Sequence, residues 1–319
     1  MNKVVPVIGF VILSIMVLLL CGFASYEAWT LQPVGGVVMT LILLGLLFEI
    51  VRESKEIRKV KSDSVFTQKN LLNFASVFFG ALISYTLSVN IGLGAVVAAG
   101  LVGVIAAIVL PDYGVPIYCG AFVGMVSPVL LNHGQTAIAA AVAGIVYVLT
   151  LSAFNGFGGK LGTIAFTGCV ITGLCLGSEF AHSPVPGWDV GWLIVVYSII
   201  AAVVTFCISI YLKRGAVMAS GIVGLVGGLM LPAIHPDIGG TLATMVICAS
   251  FAGMSSAKRF PHIVPLAIAG LVAGLVFLYS MPLLCGAGGK LGTTAFVSVM
   301  AIRGYLNLVE KLRAKKQPA

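Results

Sequence analysis

The chain has 319 residues, 60% of them hydrophobic and 9% charged, and a formal net charge of +8. Ordinary soluble domains carry about 25% charged residues, so this composition, with apolar runs along nearly the whole length, excludes a soluble globular protein and points to a helical integral membrane protein. The positive charge collects at Lys55–Lys61, Lys213–Arg214, Lys258–Arg259 and Arg303–Lys316; this is the pattern of cytoplasmic loops under the positive-inside rule, not a nucleic-acid-binding face.

Twelve membrane-spanning segments are predicted, at about 5–24, 33–51, 72–90, 93–111, 116–131, 136–153, 161–179, 190–212, 215–232, 241–257, 261–281 and 291–306. The first follows Lys3 and is about 20 residues long, against ~7–15 for the apolar core of a secretory signal, so it is expected to stay as an uncleaved span. Residues 1–52 then hold two N-terminal helices, and 53–71 form a basic cytoplasmic loop that could also meet anionic lipid. Residues 72–180 hold five segments. A connection at 181–189 without Lys or Arg is expected outside, a second set of five fills 190–306, and 307–319 form a basic tail. With the 53–71 loop inside, every basic cluster falls on the cytoplasmic side. Both termini are then cytoplasmic, and the membrane is expected to be the plasma (cytoplasmic) membrane.

The two five-segment sets are copies of one another. GAVVAAGLVGVIAAIVLP (Gly94–Pro111) aligns without gaps to GAVMASGIVGLVGGLMLP (Gly215–Pro232), with half of the positions identical. CGAFVGMVS (Cys119–Ser127) aligns to CASFAGMSS (Cys248–Ser256), and FGGKLGTIAF (Phe157–Phe166) to AGGKLGTTAF (Ala287–Phe296). Three collinear blocks, at offsets of 121, 129 and 130 residues, are the mark of an internal duplication. Five is odd, so the second copy enters the membrane from the opposite side. Inverted-topology repeats of this kind are widespread in secondary transporters, with the solute site near the midplane between them.

The hexapeptide GGKLGT, present in both copies, invites comparison with a phosphate loop, but the spacing excludes it. Leu161 and Leu291 follow the lysines where Ser or Thr is needed, and Phe154 and Leu284 stand where the first glycine should be. What remains is a glycine-rich break before the last segment of each copy: Asn155, Gly158, Gly159, Lys160, Gly162 and Thr163 in the first, Gly288, Gly289, Lys290, Gly292 and Thr293 in the second. Free amides at a helix start, an ammonium and a hydroxyl together make a nest for an anion or a polar carbonyl. Unwound carbonyls there could hold a coupling Na⁺. The competing reading is a surface turn whose lysine snorkels to the headgroups. An orienting lysine has no reason to recur on both sides of the membrane.

A second candidate lies in the third segment of each copy, 117–131 and 242–257, each only about 15–16 residues long. Each carries Phe-x-Gly-Met-x-Ser: Phe122, Gly124 and Ser127, then Phe251, Gly253 and Ser256. Short, glycine-interrupted segments at matching positions point to a transporter's binding site, although helix–helix packing explains the same residues. No Asp or Glu lies deep within the duplicated segments, which disfavours a proton-coupled cation pump. The four histidines (His133, His182, His235 and His262) lie in loops or at segment starts, and the seven cysteines contain no C-x-x-C pair, so neither set suggests a metal centre or a disulfide framework.

The expected function is therefore not enzymatic: a membrane transporter for a small polar, anionic solute, with no cofactor beyond the coupling Na⁺ considered above. The alternatives are a facilitative channel of the same symmetry, with Phe122 and Phe251 as a constriction, and a membrane scaffold with no solute path. Solute and lipid bilayer are the expected partners, nucleic acid is not, and a homo-oligomer is compatible. In arrangement, the paired loops resemble the glycine-rich re-entrant loops of sodium-dependent carboxylate transporters; the resemblance assigns no family.

Overall fold

The computed structural model describes residues 4–60 and 65–316. Among these, twelve α-helices and no β-strand form: α1 (Val4–Leu31), α2 (Pro33–Ile57), α3 (Gln68–Tyr85), α4 (Ala95–Val109), α5 (Gly114–Val123), α6 (His133–Leu149), α7 (Lys160–Cys175), α8 (Trp188–Phe206), α9 (Ala216–Ile234), α10 (Gly239–Gly253), α11 (Ile263–Ser280) and α12 (Lys290–Lys316). Several boundaries have a local cause. Pro33 opens α2, where its missing N–H leaves nothing unpaired. Thr67 caps α3 by accepting from the Asn70 amide. Asn132 and Gln135 form a reciprocal capping box at the start of α6, with bonds of 3.0 and 2.9 Å. Both α3 and α8 finish in a wider π-type turn, at Thr86–Asn90 and Cys207–Tyr211.

Among the described residues six helices are long and apolar enough to cross a membrane: α1, α2, α3 with its π turn, α8 with its π turn, α9 and α11. Large apolar side chains such as Ile15, Leu41, Leu44 and Ile108 face outward, as in a protein whose surroundings are lipid. The all-helical fold and these spans are those of a helical membrane protein.

Several expected boundaries move. The third segment, expected over 117–131, is the ten-residue helix α5, about 15 Å long at 1.5 Å per residue and half of a ~30 Å hydrocarbon core. The chain turns at Gly124 and does not resume a helix until His133. Its counterpart α10 also stops at Gly253, so both Phe-x-Gly-Met-x-Ser motifs straddle a helix end. The apolar run outlasts the helix because residues beyond it, Val126, Leu130 and Leu131, are themselves buried. At the other extreme, α1 continues to Leu31, α2 runs to Ile57 into the expected 53–71 loop, and α12 is helical through the expected tail as far as Lys316. Residues 1–3, 61–64 and 317–319 lie outside the described residues.

Packing repeats along the chain. Helix α3 packs on α5 and α6 as α8 packs on α10 and α11, and α6 lies on α7 as α11 lies on α12. The two sets join through α4 against α9 and α7 against α12, while α1 and α2 lie along α11 and α12. At the α4–α9 crossing a side chain on Gly100 would come 3.0 Å from the Gly221 carbonyl oxygen, and one on Gly221 3.0 Å from that of Gly100. Small residues at a crossing let two backbones touch. Replacing Gly100 or Gly221 by Leu is expected to lower stability by about 1–3 kcal/mol, the usual range for overpacking. Gly22→Ala, on α1 with nothing within 4 Å of the added carbon, is expected to be neutral or stabilising by up to about 1 kcal/mol. Thermal unfolding in detergent checks all three.

Candidate functional site

The two glycine-rich loops meet. Helices α7 and α12 start at the lysines, each directly after a glycine in the left-handed conformation, Gly159 at φ 81° and Gly289 at φ 83°. Glycine is needed there on two counts. The backbone angle suits no side chain, and a Cβ on Gly159 would strike the Gly292 carbonyl and the Phe296 amide at 2.5 Å, while one on Gly289 would strike the Gly162 carbonyl and the Phe166 amide. One turn on, a side chain on Gly162 would fall 2.5 Å from the Gly292 Cα, and the reverse holds equally. The first turns of α7 and α12 are thus in backbone contact, with no room for a ligand between them.

On either side of this contact lies a cavity. The first, about 280 Å³, is bounded by Asn155, Gly158, Gly159 and Lys160, with Phe122, Phe251, Tyr147 and Thr150 around them. The second, about 270 Å³, is bounded by Gly288, Gly289 and Lys290, with Cys285, Phe277, Ser280 and Thr294. The linings correspond in position: Tyr147 to Phe277, Thr150 to Ser280, Asn155 to Cys285 and Ile164 to Thr294, each 130 residues apart. Neither lining contains an Asp or Glu, so each cavity carries one formal positive charge.

The half-buried ammonium groups are held differently. Lys160 Nζ donates to Asn155 Oδ1 at 3.1 Å, and Lys290 Nζ to the Met281 carbonyl at 2.9 Å. The helix starts are fixed from behind by equivalent thiols, Cys119 Sγ donating to the Leu161 carbonyl at 3.3 Å and Cys248 Sγ to that of Leu291 at 3.1 Å. Phe154 and Leu284, just upstream, both have positive φ, 51° and 46°. A left-handed backbone at non-glycine residues is uncommon, and it recurs at the same place in both loops.

Seven of the seventeen expected site residues line a cavity by a loop position: Asn155, Gly158, Gly159 and Lys160 in one, Gly288, Gly289 and Lys290 in the other. Phe122 and Phe251 line the first cavity, their rings 4.4 Å apart between centroids. The other eight are placed elsewhere. Gly162 and Gly292 form the central contact, and the buried Thr163 and Thr293 hydroxyls donate back into their own helices, to Gly159 and Gly289. Gly124 and Gly253 let α5 and α10 press on α3 and α8, where a side chain on either would meet the Ala81 or the Ala202 carbonyl at 2.5 Å. Ser127 and Ser256 tie the loops down through their backbone, each N–H donating to a glycine carbonyl of the opposite loop, Gly286 at 2.8 Å and Gly156 at 2.9 Å.

Three features were not read from the sequence. Thr150 and Ser280, which face the two lysine cavities, were available from the 130-residue offset. Met125 and Met254, part of the Phe-x-Gly-Met-x-Ser motifs but not among the expected site residues, line the cavities too. The third is a buried ionic cluster, Glu49 and Glu53 of α2 with Arg259 beyond α10, whose charges in one dimension are indistinguishable from topogenic ones.

Comparison with known proteins finds no family model, no curated protein and no solved structure that matches the chain.

The loop geometry has a direct consequence for stability. Gly159→Ala and Gly289→Ala combine a disfavoured φ with a backbone clash, and each is expected to lower stability by about 1–3 kcal/mol. Gly177→Ala, at φ 65° with nothing within 4 Å, is expected to lower it by only about 1 kcal/mol. Equal losses at the three positions in thermal unfolding would show that the α7–α12 contact is not tight.

Proposed function

We propose that the chain is a membrane transporter that moves a small anionic solute between the Lys160 and Lys290 cavities, at the interface of two inverted five-segment units, α3–α7 and α8–α12. The observation that carries this reading is the pair of equivalent lysine cavities separated by one closed contact. An ammonium beside the start of a helix favours an anion, because the free amides and the positive dipole end point the same way as the side-chain charge. Carboxylate-free linings keep that field unopposed.

The inverted arrangement is supported by which residues touch. Gly100 meets Gly221, Phe122 meets Phe251 and Gly162 meets Gly292, and each pair occupies equivalent positions of the two copies. Self-equivalent contacts arise where a two-fold axis passes between two copies. With α5 and α10 taken as partial spans, five segments per unit place that axis in the membrane plane. Orientation follows from charge. Arg259 bonds Glu53 near the end of α2, and Arg303 of α12 donates to the Arg259 carbonyl at 3.2 Å, so three of the four basic clusters gather at one end of the bundle. That end is taken as cytoplasmic. The Lys160 cavity, whose loop Arg259 touches, then faces the cytoplasm, and the Lys290 cavity, beside the Ala181–Cys285 bridge and Ser183, faces outward.

A channel needs a continuous path, and the backbone contact at Gly162–Gly292 with the Phe122–Phe251 pair favours alternating access instead. Transport then requires the seal to part from one side at a time. In proteoliposomes screened with small carboxylates and inorganic anions, Lys160→Ala and Lys290→Ala are each expected to reduce saturable uptake by about 10–100-fold, the loss of one charged hydrogen-bond donor. Undiminished uptake in both single variants and in the double would overturn the assignment. The orientation is checked separately. In a background with the outward-facing Cys175 and the partly exposed Cys207 replaced by Ser, a membrane-impermeant thiol reagent is expected to reach Asn155→Cys from the cytoplasmic side and native Cys285 from the other. Labelling of both from one side would refute the inversion.

A further inference from the structure

The two cavities are equivalent in their walls and inequivalent at their mouths. Beyond the end of α10, Arg259 lies over the loop that precedes Lys160. Its guanidinium carbon stands 4.1 Å above the Phe157 ring, its Nε donates to the Asn155 carbonyl at 3.0 Å, and Nη1 and Nη2 donate to the two carboxylate oxygens of Glu53 at 2.7 and 3.1 Å. Asn155 in turn accepts from Lys160 through its side chain. An unbroken chain of polar contacts thus runs from α2, outside the duplicated core, through Glu53, Arg259 and Asn155 to the cavity lysine.

This cluster is secluded. Glu49 is 0% exposed and Glu53 7%. Glu49 accepts from Arg52 at 2.8 Å and from Asn307 of α12 at 2.6 Å, and lies 3.8 Å from Arg259. Removing one partner of such an ion pair strands the other charge away from water, so the pair holds firmly or separates as a unit. The planar fork of Arg259 meets the carboxylate in a two-pronged geometry that a lysine cannot copy.

Among the described residues the second cavity has no such fastening. The position matching Arg259 is Leu130, whose Cβ lies 3.7 Å from a carbon placed on Gly286, just as the Arg259 Cγ lies 3.4 Å from one placed on Gly156. An apolar side chain fills the same space, and the connection around Ala181 runs over that mouth instead.

We propose that Glu53 and Arg259 are positioning residues that latch the Asn155–Phe157 loop over the Lys160 cavity, so that this cavity opens only when the Arg259 fork leaves Glu53. The N-terminal helix pair thereby controls one of the two mouths. The latch rests on the transporter reading only in requiring that the Lys160 cavity opens toward one side of the membrane.

The test reads opening rather than transport. Ile164 and Thr294 are equivalent, buried wall residues of the two cavities, 0% and 1% exposed. Each is replaced by Cys, one at a time, in the Cys175→Ser, Cys207→Ser, Cys285→Ser background, and labelled with a small thiol reagent in solute-free vesicles. Glu53→Gln and Arg259→Gln are each expected to speed labelling at position 164 about tenfold, a fraction of what breaking a buried pair can release. The double variant should be no faster than either single, since both break one interaction, and Arg259→Lys should fall between. Position 294 should not speed up. Unchanged labelling at 164, equal acceleration at both positions, or additive effects of the two single variants would each overturn the latch. Size-exclusion behaviour and thermal unfolding identify any variant that fails to fold, and Arg259→Lys then carries the comparison. Because no solute is present, loss of the latch and loss of the lysine-dependent uptake are read independently.

Discussion

Everything at the centre of this protein depends on the approach of two helix starts to backbone contact. Gly159, Gly162, Gly289 and Gly292 remove every side chain between the first turns of α7 and α12. Two positive helix ends brought together are electrostatically unfavourable. The packing of α5 on α7 and of α10 on α12, and the Cys119 and Cys248 thiols bonded to the carbonyls beyond the lysines, supply the compensating contacts. The lysines cannot point at one another across this contact and turn outward into separate cavities. One steric fact, the absence of Cβ atoms, therefore produces both the closed centre and the two charged recesses beside it.

The loops are cross-braced rather than self-supporting. Ser127, after α5, donates its backbone N–H to Gly286 of the second loop, and Ser256, after α10, donates to Gly156 of the first. Side chains on Gly158 and Gly288 would meet the backbone carbonyls at the ends of α10 and α5, the Phe251 and Ala252 oxygens in one case and the Phe122 and Val123 oxygens in the other. The end of each short helix thus buttresses the lysine loop of the other five-helix set. The early stop of α5 and α10 is what makes this bracing geometrically available, since a helix continued past Gly124 or Gly253 would carry its backbone past the opposite loop.

Much of this was legible in the chain itself, and the remainder was hidden for definite reasons. The membrane class follows from composition, and the lysine loops stand out because a charged hexapeptide recurs unaltered in an apolar chain. That the two loops touch was not legible, because offsets along a sequence carry no information about contacts across it. The short reach of α5 was masked because Val126, Leu130 and Leu131 are apolar for burial in a loop, not for membership of a helix. In the sequence Glu49 falls near the end of the segment expected over 33–51, and Glu53 at the start of the loop expected over 53–71. Arg259 and Asn307 arrive from distant parts of the chain and, with the neighbouring Arg52, let two carboxylates sit away from water. Thr163 and Thr293 illustrate the opposite error. They share a motif with the lysines, yet helix geometry turns them inward to bond the carbonyl four residues back.

Where the two five-helix sets meet, some positions related by the sequence offset carry the same residue and others do not. Gly100 with Gly221, Phe122 with Phe251 and Gly162 with Gly292 each face their own equivalent, so a larger side chain in one copy has no complementary space in the other. Other contacts between the two sets join unlike residues. Tyr118 bonds Ser220 at 3.0 Å, and Ser220 bonds Ser250 at 2.8 Å, a buried hydroxyl chain with no equivalent in the other direction, where Ile247, Ala99 and Ala121 take the matching places. Asn155 answers to Lys160 and, through its carbonyl, to Arg259, while Cys285 bonds Met281. The departures from symmetry therefore sit among the contacts between the two sets as well, in one hydroxyl chain and at the mouth of the Lys160 cavity.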